Sequence, residues 1–319
     1  MEEQQIVKID NDQQMLAICG ENDSNLKRLE KISKQNIFSK GNEIIFSDPY
    51  HSSIITSVID SLKKIAQQGR KINHQIIDFI YNSLYKNPTD DTEFFLKNKI
   101  KLEKVNKIIQ PLSVNQALYL EAMQKSDIVF SIGPAGCGKT YLAVAFALSM
   151  ILAKEKKRLI LTRPVVEAGE SLGYLPGDLK AKINPFLQPL FDAIWNLVSF
   201  DIYQKMNEQN IIEIVPLAYM RGRTLSDAVV ILDEAQNTTS KQMKMFLTRL
   251  GMNSKMIVTG DITQVDLPGN KKNGLSEAVH IFKKISSIEF ITLDKSDVFR
   301  HPLVKKIIQA YEEKSKKKA

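Results

Sequence analysis

The chain has 319 residues, a formal net charge of +8, 43% hydrophobic residues and 25% charged residues. This composition is ordinary for a soluble globular protein, so the chain can bury a core and disorder is not the default expectation. Two cysteines, Cys19 and Cys137, are too few for a disulfide framework, and they fit a reducing compartment. The first residues are acidic and polar rather than a signal peptide, and the longest apolar run, residues 141–152, is shorter than the roughly 20 residues that span a bilayer. We therefore expect a cytoplasmic protein without a membrane segment, whose positive charge favours polyanionic partners, nucleic acid first.

The first region, residues 1–85, reads as a small α+β domain. A short strand is predicted at 15–19 and a helix at 25–33. A hairpin is predicted around the turn Lys40-Gly41-Asn42. A second helix is predicted at 52–68, where apolar residues recur at helical spacing.

Residues 86–110 are polar, with Pro88, Asp90, Asp91 and several lysines, and are predicted to form a linker. From residue 111 to 319, short apolar strands alternate with helical patterns. We predict strands at 128–132, 158–161, 211–215, 229–232, 256–258 and 289–291. This alternation predicts an α/β fold, with a parallel sheet covered by helices on both faces. The basic tail at 314–318 is either a solvated end or a weak nucleic-acid arm.

A phosphate-binding loop follows the first of these strands. The run Gly133-Pro134-Ala135-Gly136-Cys137-Gly138-Lys139-Thr140 matches G-x-x-x-x-G-K-[ST] between an apolar strand and a helix that begins near Tyr141. Its backbone N–H groups and the helix N-terminus are expected to hold the phosphates of ATP. Lys139 should reach the β- and γ-phosphates and Thr140 should bind Mg²⁺. Cys137 is expected to be a small loop residue rather than a nucleophile.

Two carboxylates complete the predicted site. Asp233 and Glu234 follow the apolar strand at 229–232, at the strand end where ligands bind in open α/β sheets. Asp233 is expected to hold Mg²⁺, and Glu234 to orient or deprotonate the attacking water. A glutamate placed to activate water favours hydrolysis over transfer to another acceptor.

Two weaker candidates follow later strands. Gln264 or Asp261 could contact the γ-phosphate, and the alternative is an ordinary strand-to-helix turn. Arg300, after the last strand, could act as an arginine finger in its own subunit or a neighbouring one. The alternative for Arg300 is a surface ion pair.

Together these elements resemble the PhoH-like family of bacterial ATPases. The resemblance rests on the phosphate loop, residues 162–178 (TRPVVEAGESLGYLPGD), residues 220–225 (MRGRTL), the run DEAQN at 233–237 and Thr259-Gly260-Asp261. It covers nearly all of residues 111–315.

The resemblance implies a RecA-like P-loop NTPase core that is close to superfamily 1 helicases but present in one copy. It also implies homo-oligomeric rings such as hexamers, in which Arg300, or Arg221 and Arg223, would complete a neighbour's site. Gln116 corresponds to the position where related helicases recognise adenine, and its alternative is a polar residue at a helix N-terminus.

For the first region, the resemblance implies a KH-like domain. A KH module clamps nucleic-acid backbone with a GXXG loop. The corresponding residues 20–23, Gly-Glu-Asn-Asp, lack the second glycine and add acidic groups. Lys27, Arg28 and Lys31 on the next helix keep RNA contact open, and the alternative is a solvated basic face. The resemblance also makes a small metal-dependent endoribonuclease acting on ribosomal RNA a candidate partner.

From these features we expect an Mg²⁺-dependent ATPase coupled to binding, remodelling or unwinding of single-stranded RNA during RNA processing. The alternative is an ATP-driven oligomeric scaffold or switch that acts on a protein partner such as the endoribonuclease. Stimulation of turnover by RNA or by that protein would distinguish the two. A kinase is disfavoured, because the sequence has no clear lid and because Glu234 is placed to activate water.

Overall fold

The structure is a computed structural model that describes residues 4–47, 52–67, 69, 72–86, 98–165, 179–267 and 273–298, together with Leu303 and Ile307. The chain divides into two compact units. The first contains residues 1–98 and 110–117, and the second contains residues 99–109 and 118–319. No helix in these described stretches is both long and apolar enough to cross a membrane.

The first unit combines a small antiparallel sheet with helices. Its elements in chain order are β1 (Gln4–Lys8), α1 (Asp12–Cys19), α2 (Ser24–Ser33), β2 (Ile37–Lys40), β3 (Glu43–Ser47), α3 (Ser52–Gln67) and α4 (His74–Lys86). The sheet order is β1-β3-β2, and both pairings are antiparallel. Buried side chains from the strands and from all four helices form one core, which includes Ile18, Leu29, Ile44, Ile59 and Ile77. The helix predicted at 25–33, the hairpin and the helix predicted at 52–68 are therefore present.

The strand predicted at residues 15–19 is wrong, because this segment is the end of helix α1. Met15, Ile18 and Cys19 are buried at helical spacing. Asn11 caps the helix by accepting a hydrogen bond from the backbone N–H of Gln14 at 2.9 Å. An apolar run of five residues fits either structure, and here the cap and the burial pattern favour the helix.

Residues 20–23, the stretch compared with a GXXG loop, lie between α1 and α2. Lys27 on α2 donates to the carbonyl oxygen of Asn22 at 3.0 Å. Arg28 forms an ion pair with Asp78 of α4, in which Nε of Arg28 is 2.6 Å from Oδ1 of Asp78. The KH likeness of this unit stays a prediction.

The second unit begins with a hairpin instead of the predicted linker. Strands β4 (Ile100–Leu102) and β5 (Lys107–Ile109) pair antiparallel, with Ile100 opposite Ile109. Ile100, Leu102 and Ile109 are buried in the core, while Lys101 is exposed. The linker prediction is therefore wrong for residues 99–109. In β4 the exposed Lys101 lies between the buried Ile100 and Leu102, so a strand with one buried face has a polar appearance in the sequence.

The remaining elements of the second unit alternate between strands and helices. In chain order they are α5 (Val114–Lys125, of which the residues from Leu118 belong to this unit), β6 (Ile128–Ile132), α6 (Lys139–Leu152), β7 (Arg158–Arg163), α7 (Leu179–Trp195), α8 (Phe200–Glu208), β8 (Ile212–Pro216), β9 (Ala228–Leu232), α9 (Ser240–Leu247), β10 (Lys255–Gly260), α10 (Gly274–Phe282) and β11 (Ile288–Thr292).

Within the described part of the unit, β6 to β11 form a six-stranded sheet in the order β11-β6-β10-β9-β7-β8, and all five pairings are parallel. Consecutive residues of β6 pack on opposite faces of the sheet. Val129 packs with α5, α6, α7 and α8 on one face, and Phe130 packs with α9 and α10 on the other. The predicted α/β fold, with a parallel sheet covered on both faces, is confirmed.

Phe130 belongs to the core on the α9 and α10 face of the sheet, where it is fully buried and stacked on Phe290, with ring centroids 4.7 Å apart. We expect Phe130→Ala to reduce the free energy of unfolding of this unit by about 3–5 kcal/mol, because it leaves a cavity in a packed interior. Denaturant unfolding followed by fluorescence of Trp195 measures the effect, since the chain has one tryptophan and it lies in this unit. The control is Ile281→Ala, at a position 56% exposed, which should change stability by less than about 0.5 kcal/mol. An unchanged denaturation midpoint for Phe130→Ala would contradict the packing described.

Candidate active site

Polar residues gather at one edge of the parallel sheet. Strands β6, β10, β9 and β7 are adjacent in that order, and because they are parallel their carboxyl ends lie at the same edge. Residues 133–140 follow β6, Asp233 follows β9, and Asp261 follows β10. A cavity of about 270 Å³ opens at this edge. It is lined by Ala135, Gly136, Gly138, Lys139, Thr140, Tyr141, Asp233, Glu234, Gly260, Asp261 and Gln264.

The loop before α6 has a shape that requires glycine at several positions. Gly136 and Gly138 have φ angles of 85° and 84°, in the left-handed region that other residues avoid. A Cβ atom on Gly133 would lie 2.5 Å from the carbonyl oxygen of Leu293. Helix α6 then begins at Lys139, so its N-terminal turn faces the cavity with the positive end of the helix dipole.

Cys137 is part of the loop's internal structure. Its side chain is fully buried, and its Sγ donates to the carbonyl oxygen of Pro134 at 2.9 Å. Burial raises the pKa of the Cys137 thiol, although the nearby Lys139 ammonium works in the opposite direction. A protonated, buried thiol is a poor nucleophile, so the geometry suits a structural role.

Lys139 and a buried tyrosine form hydrogen bonds with carbonyl oxygens of the loop. The Lys139 ammonium donates to the carbonyl oxygens of Gly133 and Pro134 at 2.6 and 2.8 Å. Tyr119 of α5 is fully buried, and its hydroxyl is 3.4 Å from the carbonyl oxygen of Lys139. Burial raises the pKa of the Tyr119 hydroxyl, which keeps it a proton donor near neutral pH. Tyr119 was not predicted from the sequence as a site residue, because nothing local marks which buried tyrosine contacts the loop.

Asp233 is the centre of a group of hydroxyl contacts. Its Oδ1 accepts hydrogen bonds from Thr140 and from Thr259 of β10, each at 2.7 Å. Thr140 belongs to α6, so its bond joins this helix to the end of β9. Carboxylate and hydroxyl oxygens are the hard ligands that Mg²⁺ prefers, so Thr140 and Asp233 are residues that could hold this ion.

Glu234 has an unusual backbone and two side-chain partners. Its φ of 51° and ψ of 42° lie in the left-handed region, which for a residue other than glycine costs of order 1 kcal/mol or more. Its Oε1 accepts from Nη2 of Arg163 at 3.0 Å, and its Oε2 accepts from Nε2 of Gln236 at 2.5 Å. Neither partner was identified as a site residue from sequence. The Arg163 contact depends on β7 and β9 being neighbours, whereas Gln236 is only two residues from Glu234 and its contact depends on the local turn.

Gln236 links the ends of two strands. Its Nε2 contacts Glu234 after β9, while its Oε1 accepts from the backbone N–H of Asp261 after β10 at 2.9 Å. A Cβ atom on Gly260 would lie 2.9 Å from that same Oε1, so glycine leaves room for the bridge. The position of Glu234 is therefore coupled to the turn that follows β10.

Asp261 organises the turn that carries Gln264. Its Oδ1 accepts from both the N–H and the hydroxyl of Thr263, at 2.9 and 2.6 Å, and its Oδ2 accepts from Nε2 of Gln264 at 2.7 Å. Both oxygens of the Asp261 carboxylate therefore accept hydrogen bonds from residues of its own turn. Both side chains line the cavity, and Gln264, which carries no negative charge, is the better suited of the two to contact a phosphate.

The other predicted site residues have different locations. Gln116 belongs to the first unit, where its buried Oε1 accepts from the backbone N–H of Leu112 at 2.6 Å. Arg223 forms a bidentate pair with Glu213, at 2.6 and 2.7 Å, while Arg221 is exposed. Arg300 lies outside the described residues, as does most of the segment 162–178. The adenine and arginine-finger assignments stay predictions.

Known proteins resemble this chain over most of its length. The family profile described as PhoH-like protein matches residues 108–312. The PhoH-like protein of Bacillus subtilis (strain 168) is 47% identical over 309 residues, which cover 97% of each chain. The PhoH-like protein of Synechocystis sp. is 42% identical over 298 residues, covering 93% of this chain and 91% of the relative. Among solved structures, the Pif1 helicase from Candida albicans is 15% identical, with a TM-score of 0.31 over 61% of this chain and 42% of that one, a likeness too low to bear on function.

Proposed function

This chain belongs to the PhoH-like family, and from the geometry of its site we propose that it is an Mg²⁺-dependent ATPase whose turnover is coupled to single-stranded RNA. One observation carries the proposal. A single cavity is lined by the phosphate loop with Lys139 and Thr140 and also by the two carboxylates of Asp233 and Glu234. These are the parts that ATP hydrolysis needs: a cradle for phosphates, a metal site and a group that activates water.

The residues have separate roles in the proposed reaction. The backbone N–H groups at the start of α6 and the Lys139 ammonium hold the β- and γ-phosphates and stabilise the charge that develops on them. Thr140 and Asp233 hold Mg²⁺, which when bound neutralises phosphate charge. Thr259 keeps Asp233 in place through its hydroxyl.

Glu234 acts on the nucleophile. It orients a water molecule against the γ-phosphorus and accepts a proton from it as the new P–O bond forms. The bond from the γ-phosphorus to the bridging oxygen breaks, and the products are ADP and inorganic phosphate. Gln264, which lines the same cavity, contacts the γ-phosphate.

The RNA part of the proposal is supported by charge. The net charge of +8 favours a polyanion, and Lys27 and Lys31 give helix α2 of the first unit basic side chains. We propose single-stranded RNA as that polyanion, and remodelling of RNA during its processing as the purpose of turnover. We also propose that the protein works as a homo-oligomer, in which Arg300, or Arg221 and Arg223, serve a neighbouring site.

The test is steady-state release of phosphate from ATP by the purified chain, with and without a single-stranded oligouridine, in Mg²⁺ and in EDTA. We expect turnover that EDTA abolishes and that RNA raises several-fold, by an amount that falls as salt increases, because phosphate contacts are salt-sensitive. Turnover indifferent to RNA, with no RNA binding at low salt, would contradict the coupling. Turnover that responds instead to a co-purifying protein, such as an endoribonuclease, would favour the scaffold alternative.

A further inference from the structure

Arg163 connects Glu234 to structure outside the nucleotide cavity. It is the last residue of β7, and β7 lies beside β9, which leads to Glu234. Its Nη2 donates to Oε1 of Glu234 at 3.0 Å, and its Nη1 donates to the carbonyl oxygen of Phe186 in α7 at 3.3 Å. The guanidinium therefore joins the catalytic glutamate to a strand end and to a helix.

The contact restricts what Glu234 can do. A general base must present a carboxylate oxygen to the attacking water. In this structure one oxygen of Glu234 is bound by Arg163 and the other by Gln236. Arg163 is not among the described residues that line the cavity. It ends β7, which lies on the side of β9 away from β10 and from β6, the strand that leads to the phosphate loop, so its attraction draws the carboxylate away from a phosphate bound there.

The guanidinium can also reach a second anion. The side chain of Arg163 is 21% exposed, and that of Glu234 is 36% exposed, so the pair lies at the surface of the core and is open to a charged ligand. A guanidinium binds phosphate oxygens in the same forked geometry in which it binds a carboxylate. A phosphate group and Glu234 would therefore compete for the same N–H donors.

We propose that Arg163 is a positioning residue that restrains Glu234, and that backbone phosphates of single-stranded RNA release the glutamate by taking over the guanidinium. This inference rests on the proposed function, because it assigns the route by which RNA controls the water-activating group. The restraint lowers the rate of ATP hydrolysis in the absence of RNA, and the residue that exerts it lies at the end of β7.

The test compares Arg163→Gln with the matched variant Arg158→Gln. Arg158 lies at the other end of the same strand, where Nη2 donates to the carbonyl oxygen of Ser226 at 3.1 Å, away from the cavity. Steady-state phosphate release is measured for each with and without the single-stranded oligouridine. We expect Arg163→Gln to raise the unstimulated kcat about threefold to tenfold, the effect of removing one partly exposed ion pair.

Three further readouts separate restraint from a merely structural role. The KM for ATP should stay unchanged, because Arg163 does not line the cavity. RNA should raise the kcat of Arg163→Gln by less than about twofold, while Arg158→Gln keeps the wild-type response. The raised rate should disappear in the double variant R163Q/E234Q, because the released group is Glu234.

The outcomes distinguish this inference from the proposed function. Wild-type turnover that RNA stimulates, together with an Arg163→Gln variant that is slower than wild type or equally stimulated, would overturn the restraint and leave the ATPase proposal intact. Wild-type turnover that RNA does not change would overturn the release by RNA. Absence of ATP hydrolysis by the wild type would overturn the proposed function itself. Retained binding of a fluorescent ATP analogue by Arg163→Gln would show that the variant is folded.

Discussion

Glutamine in place of Glu234 is expected to lower kcat for ATP hydrolysis by about 10²- to 10⁴-fold, the usual contribution of a positioned general base. The amide has nearly the same shape as the carboxylate but cannot accept a proton from water. Its oxygen can still accept from Arg163, so the left-handed backbone at this position should be kept. Phosphate release measures the rate, and a fluorescent ATP analogue measures binding, which should stay within about twofold of wild type.

The matched control for this change is Glu208→Gln. Glu208 is exposed at the end of α8, where it accepts from Gln204 at 3.1 Å, and it is not part of the cavity. Its replacement should leave kcat unchanged. A Glu234→Gln variant that turns over ATP at the wild-type rate would remove Glu234 from the mechanism, and loss of ATP binding would indicate a structural role instead.

Alanine in place of Lys139 is expected to lower kcat/KM for ATP by about 10²- to 10³-fold, the loss typical of one well-placed donor to developing charge. Unlike the change at Glu234, this one should also weaken binding, because the ammonium attracts the phosphates in both ground and transition states. In the structure the ammonium is held at the loop by the carbonyl oxygens of Gly133 and Pro134, so it is already placed beside the phosphate cradle. Titration with the fluorescent ATP analogue, together with phosphate release, checks both effects.

Lys244→Ala is the control for Lys139→Ala. Lys244 lies on the exposed side of α9, outside the cavity, and alanine suits a helix interior. The melting temperatures of both variants should remain close to that of wild type. Wild-type affinity and turnover in Lys139→Ala would mean that ATP is bound and hydrolysed elsewhere.

The parts of the site that could be predicted from sequence are those fixed by local chemistry. The loop at 133–140 can be recognised from sequence because glycines, a lysine and a threonine occur at set positions between a strand and a helix. Asp233 and Glu234 stand out because they follow a strand that is apolar throughout, as a strand buried on both faces must be. The parallel sheet follows from the alternation of such strands with helices.

The parts that could not be predicted depend on which strands are neighbours. Arg163 meets Glu234 because β7 pairs with β9, and Thr259 meets Asp233 because β10 pairs with β9 on the other side. Because the partners are 71 and 26 residues apart in the sequence, no local sequence pattern indicates these contacts. The ion pair of Arg28 with Asp78, 50 residues apart, is hidden in the same way.

Two local errors have a different cause. Residues 15–19 are a continuous apolar run too short to distinguish a helix from a strand, and residues 99–109 mix apolar residues with lysines, so neither segment has a clear period. At the first, a side-chain cap from Asn11 favours a helix. At the second, two strands of only three residues form a hairpin that buries Ile100, Leu102 and Ile109 and leaves Lys101 and Ile108 exposed. Neither the helix cap nor the hairpin can be recognised from the amino-acid composition of its segment.

The most direct test of the central claim is phosphate release from ATP by the purified wild-type chain in Mg²⁺, measured beside the same chain in EDTA and beside Glu234→Gln in Mg²⁺. The cavity that joins the phosphate loop to Asp233 and Glu234 predicts steady release by the wild type in Mg²⁺ and almost none under the other two conditions. Release that persists in both EDTA and Glu234→Gln, or no release by the wild type with or without RNA, would contradict the claim that this site hydrolyses ATP.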